Sequence, residues 1–206
     1  VGAETPISIG EYITRHGKLP DFEDLTGKDW TRLAVGMAKE FDGVTVCNTA
    51  LQKRYGGEIL RHARDKKQFK PSLNLKIKSR EKYKIPQDMK VVLFFGTPSG
   101  DKGVLETVRA IASLKWREVT YCIAAPFEDQ SLKQRLLEIK GCNYKFLRDQ
   151  LIITNPELLA IADFCVLLQN KDENISRYQT PAKLSDALAM GVPIFVNATP
   201  AITDIV

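Results

Sequence analysis

Strict blocks of apolar and polar positions begin near residue 90. "KVVLFFG" is a continuous apolar run, as expected of a strand buried on both faces. After it the sequence predicts a Gly-rich turn and a helix over "GVLETVRAIASL", then the strand "EVTYCIAA" and the amphipathic helix "DQSLKQRLLEIK". The strand "NYKFL", the short helix "NPELLAIA" capped by Asn155 and Pro156, and the strand "DFCVLLQ" come next. The helix "TPAKLSDALAM", closed by Gly191, and the strand "VPIFVN" complete the series. Strands alternating with helices in this way predict an α/β fold, a parallel sheet with helices on both faces. An open sheet of that kind binds ligands at the carboxyl ends of its strands.

The earlier part of the chain is less regular. Residues 1–28 read as loop with one short helix at most. "DWTRLAVGMAKEF" places Trp30, Leu33, Ala34, Met37 and Phe41 at helical spacing. "GVTVCN" and "EILRH" read as short strands around a helix at "TALQKRYGG", with Thr49 as its N-cap. Residues 64–80, charged and broken by Pro71, are the best candidate for an interdomain linker. The final "TPAITDIV" reads as the first turns of another helix.

Composition narrows the class. The 206 residues are 44% hydrophobic and 27% charged, ordinary values for a globular chain that needs no disulfides. No run of about 18 apolar residues offers a membrane-spanning helix, and the N-terminus lacks the layout of a signal peptide. Cys47, Cys122, Cys142 and Cys165 form no C-x-x-C pair and read as reduced, mostly buried thiols, in keeping with a cytoplasmic protein. Net charge is +5, but residues 52–90 alone carry 13 Lys or Arg against four acids. This basic stretch reads as a solvated connector, or as a face for anionic lipid heads or a diphosphate-bearing acceptor. Nucleic acid is disfavoured, because no zinc-finger or RRM signature appears.

Two loops point to a phosphate. In "VVLFFGTPSGDKGV", Gly96, Gly100 and Gly103 allow close backbone approach, and a helix begins near Lys102. The free N–H groups and positive dipole end of that helix can hold an anion, and Lys102 adds a full charge. The spacing is neither a P-loop nor a dinucleotide fingerprint, and an ordinary strand–helix turn is the plain alternative. In "SRYQTPAKLSDALAMGVPIFV", Thr180 is a candidate cap and Pro181 suits the first helical position. Lys183 stands in the first turn, where the helix dipole disfavours a cation unless an anion binds there. Asp186, three residues on, shares its face; a surface Lys–Asp pair is the plain alternative. Both helices follow strands of one sheet, so their N-termini should open toward one edge. A diphosphate between them, with Asp186 accepting bonds from ribose hydroxyls, joins the two observations.

Together these residues resemble the donor-binding half of GT-B retaining glycosyltransferases, especially family 4, over about residues 42–206. "RHARDKKQFKP" is similar to the family's connector, with Ala63 and Arg64 in place of the usual glycine and apolar residue. "FFGTPSGDKGVLETVRAIASL" resembles the loop whose lysine binds the donor diphosphate, which implies that role for Lys102. Thr97 stands where an arginine is frequent. "YQTPAKLSDALAMGVPIFV" resembles the family's strongest motif, in which an acid grips the ribose; that implies Asp186. The sugar-contacting acid usual eight positions earlier is Tyr178 here, with Asp172 and Glu173 nearby.

The resemblance implies a Rossmann-like GT-B C-terminal half, residues 69–206, preceded at 1–68 by the tail of a second Rossmann-like, acceptor-side domain plus linker. It also implies that the second half stops before its usual last helices. The implied reaction transfers a hexose from a nucleoside-diphosphate sugar to a hydroxyl of a glycan or lipid-linked acceptor, with no metal. Lys102 and Lys183 stabilise the leaving group. Gly96, Thr97, Gly100, Gly103, Gln179, Thr180 and Asp186 hold the diphosphate and ribose, and Glu173, Tyr178 and His62 are candidate sugar contacts. Bacterial polysaccharide or lipopolysaccharide synthesis, with peripheral association at the inner face of the membrane, is the implied setting. The remaining parts of a larger GT-B enzyme would be the chain's partners. Thr97 and Tyr178 at functional positions keep a second reading open, a nucleotide-sugar-binding or scaffolding domain without catalysis. A sugar-nucleotide epimerase of the same architecture is a third. His16, Trp30 and Trp116 read as structural.

Overall fold

The structure, a computed structural model, describes residues 6–21, 27–98, 102–125, 127, 130–147, 156–170 and 174–206, with only the backbone of Lys39 and Asn174. The chain divides into two compact units. One comprises Val1–Arg61, Lys171–Thr180 and Ala198–Val206; the other comprises His62–Asn170 and Pro181–Asn197. The division is discontinuous in sequence, since two later segments join the first unit.

The larger unit is built on five parallel strands: β3 (Lys90–Phe95), β4 (Val119–Ala124), β5 (Asn143–Phe146), β6 (Phe164–Leu167) and β7 (Ile194–Val196), in the order β5-β4-β3-β6-β7. All of β3 except Lys90 is buried. Its alternate residues feed two cores, because successive side chains of a strand point to opposite faces. Val91, Leu93 and Phe95 pack with residues of α7 (Pro156–Ala160) and α9 (Ala182–Ala189). Val92 and Phe94 pack with Val104, Leu105, Val108 and Ile111 of α5 (Val104–Leu114) and with Leu132 and Leu136 of α6 (Gln130–Glu138). The expected α/β architecture with helices on both faces is what forms.

A further helix, α4 (Leu73–Lys82), occupies the second half of the stretch expected to be a linker. Ser72 caps it through Leu75 N–H. Its buried side is Ser79 and Arg80, so no apolar periodicity announces it. Arg80 is 2% exposed and donates to the carbonyls of Ile161, Gln87 and Met89 and to Asp163. Asp163 also accepts from Lys76 and from Val91 N–H. Burial alone would raise the Asp163 pKa, but these donors hold it below its ordinary value.

The smaller unit holds α1 (Ile9–His16), α2 (Gly27–Met37) with a 3-10 turn after it, β1 (Thr45–Val46), α3 (Thr49–Tyr55), β2 (Glu58–Ile59) and α8 (Asn174–Tyr178). α1 is closed by a reciprocal Ser8–Glu11 capping box and by Gly17 at φ 71°. Ile7, Tyr12 and Leu33 form its small core. Gly36 is required there, because a Cβ would lie 2.0 Å from the Ile7 carbonyl oxygen. β1 and β2 pair in parallel around α3. The N-cap of α3 is Asn48 rather than Thr49. Residues 200–205 form hydrogen-bonded turns, not the expected helix. Asn155, the expected cap of α7, lies outside the described residues.

The four cysteines are free. Burial pushes the thiols of Cys122 and Cys165 up to about 12 and that of Cys142 to about 11, so they are inert at neutral pH. Among the described residues no helix is long and apolar enough to cross a membrane.

Candidate functional site

The strand order fixes where a ligand can sit. From β3 the chain lays β4 and β5 on one side of the sheet and β6 and β7 on the other. The connections diverge between β3 and β6, and in open parallel sheets the binding crevice lies at the carboxyl ends of those strands.

The loop after β3 leads into that crevice. Gly96 turns the chain at φ 95°, while its N–H remains bound to Ala124 of β4. Thr97 is exposed, and its carbonyl accepts from Lys102 Nζ at 2.9 Å. Gly103 precedes α5 at φ 64°. A Cβ there would lie 2.5 Å from Cβ of Leu168, just beyond β6, so its lack of a side chain lets the loop close on the neighbouring strand. Gly100 lies outside the described residues.

α9 supplies the other half. Thr180 does not cap it, contrary to expectation. The Thr180 hydroxyl accepts from Asn48 and donates to the Ala201 carbonyl within the smaller unit, and Pro181 takes the N-cap position without a side-chain bond. The first N–H groups of α9 therefore have no side-chain cap. Lys183 Nζ stands 4.8 Å from the Phe94 ring centre and 5.8 Å from that of Phe95, at the end of β3. Burial is the chief cause of its pKa falling to about 8; the positive charge of Lys102 adds to the fall and Asp186 opposes it. The two lysines are thus electrostatic neighbours at one edge of the sheet.

Asp186, one turn further along α9, is 2% exposed. Burial raises its pKa, and the opposing pull of Arg64, His62 and Lys183 only partly offsets this. Its partner is Arg64, whose Nε donates to the carboxylate. Nη2 of Arg64 donates to the Ala182 carbonyl at 3.0 Å and Nη1 to that of Ala63 at 2.7 Å. Sequence reasoning treated Arg64 as one departure within a basic connector. The available signal was the acid on the apolar side of α9: a buried carboxylate needs a counter-charge, and the connector held a cation where an apolar residue is usual.

His62, exposed, lies near enough to favour the charged form of Asp186. The larger unit therefore assembles Lys102, Lys183, Asp186, His62, Gly96, Thr97 and Gly103, with Arg64 added. Tyr178, Gln179 and Thr180 belong to the smaller unit. There the Tyr178 carbonyl accepts from Asn48 and its ring lies 4.7 Å from the Arg54 guanidinium; Gln179 is exposed. Asp172 and Glu173 lie outside the described residues. Among the described residues, no three His, Cys, Asp or Glu side chains gather as a metal site.

No protein-family model and no curated protein matches the sequence. Solved structures do match. HepE from Anabaena, in complex with UDP and glucose, is 21% identical over 88% of this chain and 51% of its own, with a TM-score of 0.68. Sucrose-phosphate synthase from Thermosynechococcus elongatus is 16% identical over 93% and 49%, at 0.67. The C-terminal domain of LpcC, a glycosyl transferase group 1 protein of Francisella tularensis, is 19% identical over 70% and 75%, at 0.52. The chain spans about half the length of the first two. The likeness is one of fold: this chain has the Rossmann-like parallel sheet of GT-B glycosyltransferases.

Proposed function

We propose that the chain is the donor-binding half of a retaining GT-B glycosyltransferase, with the end of its acceptor-side half. It moves a hexose from a nucleoside-diphosphate sugar to a hydroxyl of a glycan or lipid-linked acceptor in bacterial polysaccharide or lipopolysaccharide synthesis. The observation that carries this reading is the pair of lysine amines, Lys102 and Lys183, brought together at the carboxyl edge of the sheet. The solved complex of HepE, a protein of similar fold, with UDP and glucose supports a nucleotide-sugar ligand.

As the glycosidic bond breaks, negative charge grows on the departing diphosphate. The Lys102 ammonium, Lys183 and the N-termini of α5 and α9 offset that charge without any metal. Asp186 holds the ribose. The basic stretch before β3 draws the protein to anionic lipid at the inner face of the membrane. A GT-B active site is formed by two halves, so the chain by itself is expected to bind the donor weakly and transfer little sugar.

Replacing Lys102 by Ala in the complete enzyme is expected to lower transfer roughly 100-fold, the usual scale for one preorganised electrostatic contact. Measured transfer rates equal to wild type would contradict the reading. Thr97 and Tyr178, where the resemblance expects an arginine and an acid, favour a second one, a nucleotide-sugar-binding or scaffolding domain without catalysis. That reading expects the Lys102→Ala protein to keep its biological activity.

A further inference from the structure

We propose that Arg64 competes with the donor for the ribose anchor: its guanidinium holds the Asp186 carboxylate and surrenders it to the ribose hydroxyls as the donor enters. The inference rests on the nucleotide reading above and adds a residue that sets the donor affinity.

The geometry supports an exchange rather than a permanent structural pair. The Asp186 side chain is 2% exposed, whereas that of Arg64 keeps 17%. The guanidinium is therefore the more solvent-accessible partner of the pair. Arg64 belongs to neither helix nor strand, and its other two nitrogens bond only to carbonyls, of Ala63 and Ala182. Those bonds can pass to water when the side chain swings out. Arg80 offers a contrast within the same unit: it is 2% exposed, with four protein acceptors on three sides.

Two further observations show how exchange could proceed without stranding a charge. Lys183 lies on the same face of α9 as Asp186 and draws it toward the ionised form, so the carboxylate keeps a cationic neighbour after Arg64 leaves. Lys183 and His62 act on the same carboxylate as Arg64, so an incoming diphosphate brings its negative charge to a site already rich in cations. A donor must therefore supply both parts, phosphates to offset the cations and a vicinal diol to replace the guanidinium. The cost of the exchange is that of one charge-assisted hydrogen bond, which at about 1.5 kcal/mol is near tenfold in affinity.

The test uses UDP and the intact chain. In wild type, the Arg64 Nε–H resonance, assigned by its loss in Arg64→Leu, is expected to move to the position of a solvated arginine when UDP saturates the protein. Arg64→Leu, with Arg64→Gln as a second variant that keeps a polar side chain, is expected to bind UDP about tenfold more tightly by calorimetry. Saturation with the Arg64 resonance unmoved, or weaker UDP binding in both variants, would overturn the exchange alone. Absence of UDP binding in wild type and both variants would overturn the nucleotide reading beneath it.

Discussion

Lys183 is a cation in a place that disfavours cations, at the first turn of a helix, partly buried, with another lysine beside it. If a diphosphate binds there as proposed, a pKa of about 8 links that binding to a proton. A bound diphosphate favours the charged amine, so its pKa rises in the complex. Below pH 8 the amine is already protonated and binding takes up no proton. Between pH 8 and the higher pKa of the complex, binding takes up one, and affinity falls by up to tenfold per unit of rising pH. Calorimetry of UDP binding at pH 8.5, in buffers of different ionisation enthalpy, is expected to show this uptake; Lys183→Met should remove it. The stability of the empty protein carries the opposite sign. A lysine with a depressed folded pKa charges more readily when unfolded, so this group adds stability as pH rises from about 8 toward its ordinary value of 10.5. Residue identities made the lysines and Asp186 visible in sequence, because helix-start rules say where a cation is out of place. Arg64 was not visible, since its role depends on a partner, Asp186, that stands 122 positions further along the chain.

Among the elements, α4 shows what periodicity cannot detect. Its inner side is Ser79 and Arg80, and a hydrophobic pattern reads a buried arginine as surface. Arg80 nevertheless joins α4 to the carbonyl of Ile161 after α7 and, through Asp163, to the amino end of β3. Arg80→Ala would leave those carbonyls and Asp163 short of donors. It is expected to cost about 3–5 kcal/mol, as when one partner of a buried pair is removed. Urea denaturation checks this; a loss below about 1 kcal/mol would mean that Lys76 and water replace the guanidinium. By contrast, β3 to β7 and α5, α6, α7 and α9 were legible to within a few residues, because β3 and β4 are continuous buried apolar runs and the helices carry an apolar face at helical spacing. The N-terminus of α9 was misread at Thr180, where proline's fixed φ made two adjacent residues plausible caps and a contact with Asn48 decided between them.

For the molecule as a whole, the order of strands matters more than their number. The order β5-β4-β3-β6-β7 puts the switch between β3 and β6, beside the loop that carries Lys102. Alternation of strands and helices predicted a parallel sheet but no strand order, and it could not show that residues 171–180 and 198–206 group with the first unit. The central claim is that Lys102 and Lys183 serve one diphosphate. The most direct measurement is a double-mutant cycle of UDP affinity over wild type, Lys102→Ala, Lys183→Ala and the double variant. Two cations on a single diphosphate are expected to weaken binding about tenfold or more in each single variant, with a coupling of about 0.5 kcal/mol or more between them. UDP affinity unchanged in both single variants would contradict the claim.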